Sequence, residues 1–254
     1  MTYGLAIRLD DGIVFLSDTR TSAGVDTISI YRKLHIRQPA PDRAFAIQAA
    51  GNLATTQEVL DRIDRDLAAD DGRETLATVD RLFEAALYVG RISREVVSNH
   101  RDALAASGAD GTATFILGGQ IAGETPEIFL VYPEGNYIRA SKTRPFLQIG
   151  ESKFGKFWLE LAVHARVDLD GAIKLALASM MSTTRSNLSV GPPFDLALYR
   201  NESLSFDEHR IEADSEYLAE IQQRFVQHLF QAIDDLPPIP WSSTGRSSAQ
   251  PPSA

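Results

Sequence analysis

The chain predicts an α+β fold of four layers: two antiparallel β-sheets face to face, with a pair of helices on each outer side (an α-β-β-α sandwich). Three observations carry this expectation. Strand-like segments come in blocks, and each of the first two blocks is followed by two helical segments rather than one. A doubly wound parallel sheet needs strand and helix to alternate one by one, so the block order excludes it. No linker or internal repeat interrupts residues 1–236, which read as one domain large enough to bury a substantial core.

The first block opens with Thr2–Leu9, "TYGLAIRL", an alternating run. The turn "DDG" and the return run Ile13–Asp18 complete a hairpin. After the polar link "TSAGVDT", two further strands are expected at Ile28–Ile36 and Arg43–Ala50, divided by Pro39 and Pro41. Gly51 ends the sheet signal. Val59, Leu60, Ile63 and Leu67 then fall on one helical face, with Asn52 or Thr55 in capping position. A second helix is expected from Glu74 to His100, with Leu76, Val79, Leu82, Phe83, Ala86 and Leu87 on its stripe. The short "ADDGR" connection makes the two helices antiparallel neighbours.

The second block predicts strands at Thr112–Gln120, Glu127–Pro133, Gly135–Ala140 and Pro145–Gly150. Helices Ser152–Val163 and Asp170–Met181 follow, the first with Phe154, Phe157, Trp158 and Leu161 on its apolar face. A strand pair at Phe194–Arg200 and Ser205–Glu212 precedes an amphipathic helix, Ser215–Asp234, whose Leu218, Ile221, Phe225, Leu229 and Ile233 are expected inward. The proline- and serine-rich tail 237–254 is expected to be disordered.

Composition narrows the function classes. The 25 basic and 34 acidic residues give a formal charge of −9, and no basic stripe is present, so nucleic acid is not an expected partner. The absence of cysteine removes disulfides, thiolate metal sites and a cysteine nucleophile, and suits a reducing cytoplasm. The start lacks a basic n-region, Asp10 and Asp11 interrupt its apolar pattern, and no run has the length of a membrane span. A soluble cytoplasmic protein is expected, with no membrane partner. The five histidines show no ligand spacing, so neither metal nor cofactor is expected. There is no G-x-S-x-G elbow, and "GADGTATF" lacks the Gly-Lys-Ser/Thr of a phosphate loop.

What remains is Thr2, preceded only by Met1. A hydroxyl nucleophile needs a base, and without a histidine dyad the α-amino group of the same residue is the candidate. Such a group titrates near ~8, a neighbouring ammonium lowers that value, and a carboxylate holds the ammonium in place. The chain supplies each part. Asp18 ends the second strand, and the hairpin returns it to the level of Thr2. Lys33 stands in an apolar strand candidate, "IYRKLHI", where a solvated lysine is out of place. A register slip of one residue would turn it to the other face. Gly51 follows "FAIQAA" at a helix start, where its N–H could face an oxyanion. Plainer readings exist: Thr2 as a permissive second residue, Asp18 as a strand-end acid, Lys33 as a snorkelling lysine.

Thr2, "SDTR", the strand lysine and "AAGN" together resemble proteasome-type N-terminal nucleophile hydrolases. More closely, "MTYGLAIRLDDGIVFLSDTRTSAGVD", "RKLH", "FLQIGESKFGK" and "RSNLSVGPPFDLALY" resemble the Anbu family of bacterial proteasome homologues, over Thr2 to Asp234. The resemblance implies the same α-β-β-α sandwich, that of a proteasome β-subunit. It implies Thr2 as nucleophile once Met1 is trimmed, Lys33 lowering the amine's pKa, Asp18 holding Lys33, and Gly51 donating to the oxyanion. The G-S-G segment of proteasome subunits matches Gly150-Glu151-Ser152, so Glu151 stands in the place of the serine. The later D-x-x-S-G-G segment of those subunits matches Ser186 to Gly191, with Ser189 kept and Ser186 in the place of the acid. Ser152 also fits a helix N-cap, and Ser186 and Ser189 fit plain loop residues.

The expected activity is that of a threonine peptidase or amidohydrolase acting on a peptide or amide through an acyl-enzyme. Two alternatives stand beside it: a proteasome-fold assembly or binding subunit with weak or no proteolysis, and hydrolysis or transfer of small amides. The resemblance also implies a homo-oligomer, as a ring or an open helical ring. An ATP-dependent unfoldase, if one delivers substrate, is a separate chain, because no ATPase motif is present.

Overall fold

Strands β1 (Tyr3–Arg8) and β2 (Gly12–Asp18) form the expected hairpin, every residue of β2 buried. The structure, a computed structural model, describes residues 1–23, 27–69, 71–164 and 167–238. The hairpin lies inside a five-stranded antiparallel sheet with β10 (Phe146–Gly150) beside β1, and β11 (Phe194–Arg200) then β12 (Phe206–Ile211) beside β2. The second sheet runs in sequence order: β5 (Leu34–Ala40), β6 (Arg43–Gly51), β7 (Ala113–Ile121), β8 (Glu127–Val131) and β9 (Tyr137–Arg139). Pro39 lies on β5, the edge strand, where a missing N–H breaks no ladder.

The layers follow from alternation. One face of each sheet meets the other through Ala6, Phe15, Ala46, Ile116, Ile128 and Ala197. The opposite face of the second sheet, with Phe45, Phe115 and Phe129, packs against helices α1 (Leu53–Ala68) and α2 (Leu82–Asn99) through Val59, Ile63, Val89 and Ile92. On the outer side of the first sheet, α5 (Leu169–Ser186) packs against β1 and β2 and is paired with α4 (Lys156–His164). Tyr3 crosses that layer, its hydroxyl 2.6 Å from Ser179 Oγ. The expected sandwich is the observed one.

Several boundaries differ from expectation. The strand expected over Ile28–Ile36 is broken: β4 (Thr27–Ile30) stops short, β5 begins at Leu34, and Lys33 lies in the connection between them. Of the link expected before it, residues 21–23 belong to β3 (Arg20–Ala23), which pairs antiparallel with β4. The helix expected from Glu74 starts at Leu82, because the Glu84 side chain accepts from the Asp80 and Arg81 N–H groups and fixes the start there. Its buried stripe is Ala85, Ala86, Val89 and Ile92, leaving Phe83 and Leu87 exposed. A short helix α3 (Arg101–Ser107) was not foreseen. The helix expected from Ser152 begins at Lys156, and Phe154, Phe157 and Leu161 are exposed.

The described residues fall into two compact units, 1–215 and 216–238. In the second, α6 (Glu216–Asp234) buries Leu218, whereas Leu229 and Ile233, expected inward, are exposed. The tail beyond residue 238 lies outside the described residues. Among the described residues, no helix is long and apolar enough to cross a membrane, and no cluster of three or more His, Asp or Glu could hold a metal ion.

Candidate active site

Pairing of Gly4 with Ser17 in the β1–β2 ladder brings the start of β1 level with the end of β2. The Tyr3 N–H therefore reaches Asp18 Oδ1 at 2.9 Å, and the Gly191 N–H reaches Oδ2 at 3.3 Å. Asp18 is fully buried. A carboxylate there needs a cation, and Lys33 provides it: its Nζ donates to Asp18 Oδ1 at 2.9 Å, to the Arg20 carbonyl at 2.5 Å and to the Met1 carbonyl at 3.1 Å. These three acceptors explain the break between β4 and β5. The Lys33 carbonyl still accepts from the Ala49 N–H of β6 at 3.0 Å, while its ammonium turns toward β2. The register ambiguity of the sequence is thereby resolved toward Asp18.

Burial pushes the Asp18 carboxyl up and the Lys33 ammonium down, and each is opposed by the other's charge. The amino group of Met1 is lowered as well, first by burial and then by Lys33, with Asp18 opposing. The Met1 carbonyl oxygen and the Thr2 nitrogen share one peptide group, so Lys33 Nζ lies no more than about 5.4 Å from that nitrogen. Removal of Met1 would thus leave the new amine under the same two influences.

Thr2 is half-buried, and its carbonyl accepts from the Glu151 N–H at 2.8 Å. The approach requires Gly150, whose φ is +75° and whose added Cβ would stand 1.9 Å from the Thr2 oxygen. Gly150→Ala is therefore expected to destabilise the fold by about 2 kcal/mol or more and to displace Thr2, a loss that thermal unfolding would register. Gly51 is the last residue of β6 rather than the first turn of a helix, with φ +119° and the Thr112 carbonyl 2.4 Å from where a Cβ would be. Asn52, not Thr55, caps α1 through its side chain.

The supporting residues fall out differently. Ser152 does not cap a helix; its carbonyl accepts from Gln148 Nε2 at 3.3 Å. Ser186 is exposed and turns its hydroxyl back onto the Ser182 carbonyl of its own helix at 3.0 Å. Ser189 is half-buried in the turn after α5, its N–H held by Asn187 Oδ1 at 3.0 Å. The residue that reaches Glu151 is Asn187, whose Nδ2 lies 3.1 Å from Glu151 Oε2 and 3.9 Å from Met1 Sδ. Sequence reasoning missed Asn187, Tyr3, Gly191 and the Arg20 carbonyl. Three of these contribute backbone atoms, which no residue type announces, and the fourth stood one position after the residue singled out. Arg20 lies in the quoted "SDTR", and its guanidinium ties β3 to the Leu188 carbonyl at 3.0 Å.

A pocket of about 740 Å³ opens beside these groups, with Thr2, Lys33 and Gly51 on its wall and Leu53 and Leu60 of α1 opposite. A half-buried threonine at the head of β1, level with an ion pair sealed under it, in a sandwich of two sheets and two helical layers, defines the proteasome-like N-terminal nucleophile fold. Solved structures agree. Anbu (ancestral beta-subunit) from Yersinia bercovieri is 41% identical over 94% of this chain and 99% of its own, with a TM-score of 0.86. Anbu from Hyphomicrobium sp. strain MC1 is 42% identical over 94% and 99%, with a TM-score of 0.83. The helical assembly of the Anbu complex from Pseudomonas aeruginosa is 38% identical over 95% and 100%, with a TM-score of 0.88. No family model and no curated protein matches the chain. The chain belongs to the Anbu family, the ancestral β-subunits.

Proposed function

We propose that this chain is a threonine-type amidohydrolase, a peptidase of the proteasome kind, whose nucleophile is Thr2 Oγ after Met1 has been removed. The observation that carries this reading is the Lys33 ammonium, which bridges the buried Asp18 carboxylate and the Met1 carbonyl. With Met1 in place the Thr2 nitrogen is an amide and accepts no proton. Once freed, the amine beside Lys33 is neutral at working pH and takes the proton from Oγ. Oγ attacks the substrate carbonyl, and the Gly51 N–H receives the developing oxyanion. The ammonium then returns its proton to the leaving amine, and water hydrolyses the ester by the same base. Glu151, with Asn187, stands near the amine where proteasome subunits carry serine, and Ser189 supports that side of the site.

Assembly belongs to the same proposal. The Pseudomonas aeruginosa relative is a helical assembly, and this chain forms a homo-oligomer of that kind, in the cytoplasm, with peptide or amide as substrate. Any unfoldase that feeds it is a separate protein.

Intact mass spectrometry tests the reading before and after treatment with a β-lactone or epoxyketone. The expected result is a chain lacking Met1 that gains one adduct, mapping to Thr2. A chain that lacks Met1 and takes up neither electrophile nor any peptide substrate would move the assembly reading ahead.

A further inference from the structure

We propose that the pocket beside Thr2 is a subsite for an acidic side chain, glutamate or aspartate, on the residue whose carbonyl is attacked, and that Arg32 and His35 select it. The inference rests on the hydrolase reading for its placement beside the nucleophile. Its own support is the wall of the pocket. Leu53, Gln57 and Leu60 of α1 contribute one face, and the lining also carries Arg32 and His35, with no acidic residue among the described lining. Such a wall accommodates the methylenes of a glutamate and meets its carboxylate with cation and hydrogen-bonding groups.

Arg32 is available for that role. It is half-exposed, and its partners are distant: Glu208 at 3.4 Å and Asp195 at 3.9 Å. Charge-assisted bonds run near ~2.8 Å, so neither contact is tight. Asp195 has a nearer partner in Arg210 at 3.3 Å. Asp195 Oδ2 is buried without a hydrogen-bond partner, so a carboxylate that takes the guanidinium removes no hydrogen bond from it, and Asp195 keeps Arg210 as its nearer cation.

His35 stands beside Arg32 on that wall. Its pKa falls to about 4, first through burial and then through the charge of Arg37, so at working pH it offers a neutral hydrogen-bonding ring rather than a second cation. Arg37 is paired with Asp64 at 2.7 Å, and the charge of Lys33 is matched by Asp18, so Arg32 is the cation left loosely paired. A loosely paired guanidinium on the wall attracts a carboxylate, and it disfavours a lysine or arginine side chain for the same reason.

Acetylated peptides ending in Glu, Leu or Arg are product analogues whose last side chain enters the pocket. Calorimetric titration onto the full-length protein is expected to show the Glu peptide binding at least fivefold tighter than the Leu peptide, and the Arg peptide weakest. Arg32→Gln is expected to bring the Glu peptide down to the affinity of the Leu peptide. His35→Gln, measured alongside, should reduce the preference while both variants keep the wild-type melting profile. Equal binding of all three peptides, a preference for Leu or Arg, or no binding at all overturns the proposal. A Glu preference in a protein that never labels at Thr2 keeps the subsite and ends the hydrolase reading. Turnover of Leu peptides without a Glu preference does the reverse.

Discussion

Replacing Lys33 by Met is expected to slow turnover and to destabilise the protein by about 3–5 kcal/mol at neutral pH, the usual penalty for orphaning one member of a buried pair. The side chains are similar in length, so little volume is lost. What changes is Asp18, fully buried and left with two backbone donors and no cation. Burial already pushes its carboxyl up against the opposition of Lys33. Without that opposition the folded-state pKa climbs further, and the loss becomes pH-dependent. A raised carboxyl pKa in the folded state means the acid form is the one that fits. The variant therefore keeps its stability below the unfolded aspartate value near ~3.9 and loses it as pH rises toward the folded value. Denaturant unfolding at pH 5 and pH 8 should show the variant closer to wild type at pH 5. Equal deficits at both pH values would mean that Asp18 does not depend on Lys33 for its charge. The same substitution removes the cation that lowers the amine, which is expected to slow turnover by ~10²-fold or more.

The strands and helices were legible wherever alternation or helical spacing was strong. Tyr3–Arg8, Gly12–Asp18 and Arg43–Gly51 are close to the expected runs. The errors share a cause: side chains that pull the backbone out of a repeating pattern. Lys33 reads as a strand residue because apolar neighbours surround it, yet its ammonium turns to acceptors on Met1, Asp18 and Arg20, and it lies in the connection before β5. Residues 74–81 carry helical spacing in Leu76 and Val79, but both are buried in turns, held by hydrogen bonds such as that from the Thr75 N–H to Thr78 Oγ1. Gly51 ends the sheet signal in the sequence and is the last residue of β6, two positions before α1 begins. For the site, residue type carried Thr2, Asp18 and Lys33 because a hydroxyl, an acid and an out-of-place lysine each stand out against an apolar background. Asn187 did not stand out: its partner Glu151 is 36 positions away, and only the packing of α5 against the first sheet brings the two together.

Thr2→Ala is expected to remove the electrophile adduct and to lower turnover by ~10⁴-fold, while Thr2→Ser, which keeps the hydroxyl, retains measurable activity. The side chain is half-buried and makes no contact on which the ladder depends, since Tyr3 is the first residue of β1 and the Thr2 carbonyl holds Glu151 whatever the side chain. The variant should fold and assemble like wild type. That separates the two leading readings: an assembly subunit would be indifferent to the change. The pH profile of the active protein carries a second, independent mark. The base is an amine, so the rate rises as its proton leaves, and activity is lost as pH falls through its pKa. Burial and then Lys33 lower the amine of Met1, and the Thr2 amine that takes its place stands within about 5.4 Å of Lys33 Nζ, so the acid limb should lie below the ordinary value near ~8. Both influences act on the neutral form in the same sense: a partly desolvated site disfavours the ammonium, and the neighbouring cation repels it. An acid limb at or above ~8 would show that the amine does not feel Lys33, and the base would have to be sought elsewhere. A limb that is depressed in wild type and in Thr2→Ser alike would assign the titration to the main-chain amine rather than to the hydroxyl it serves.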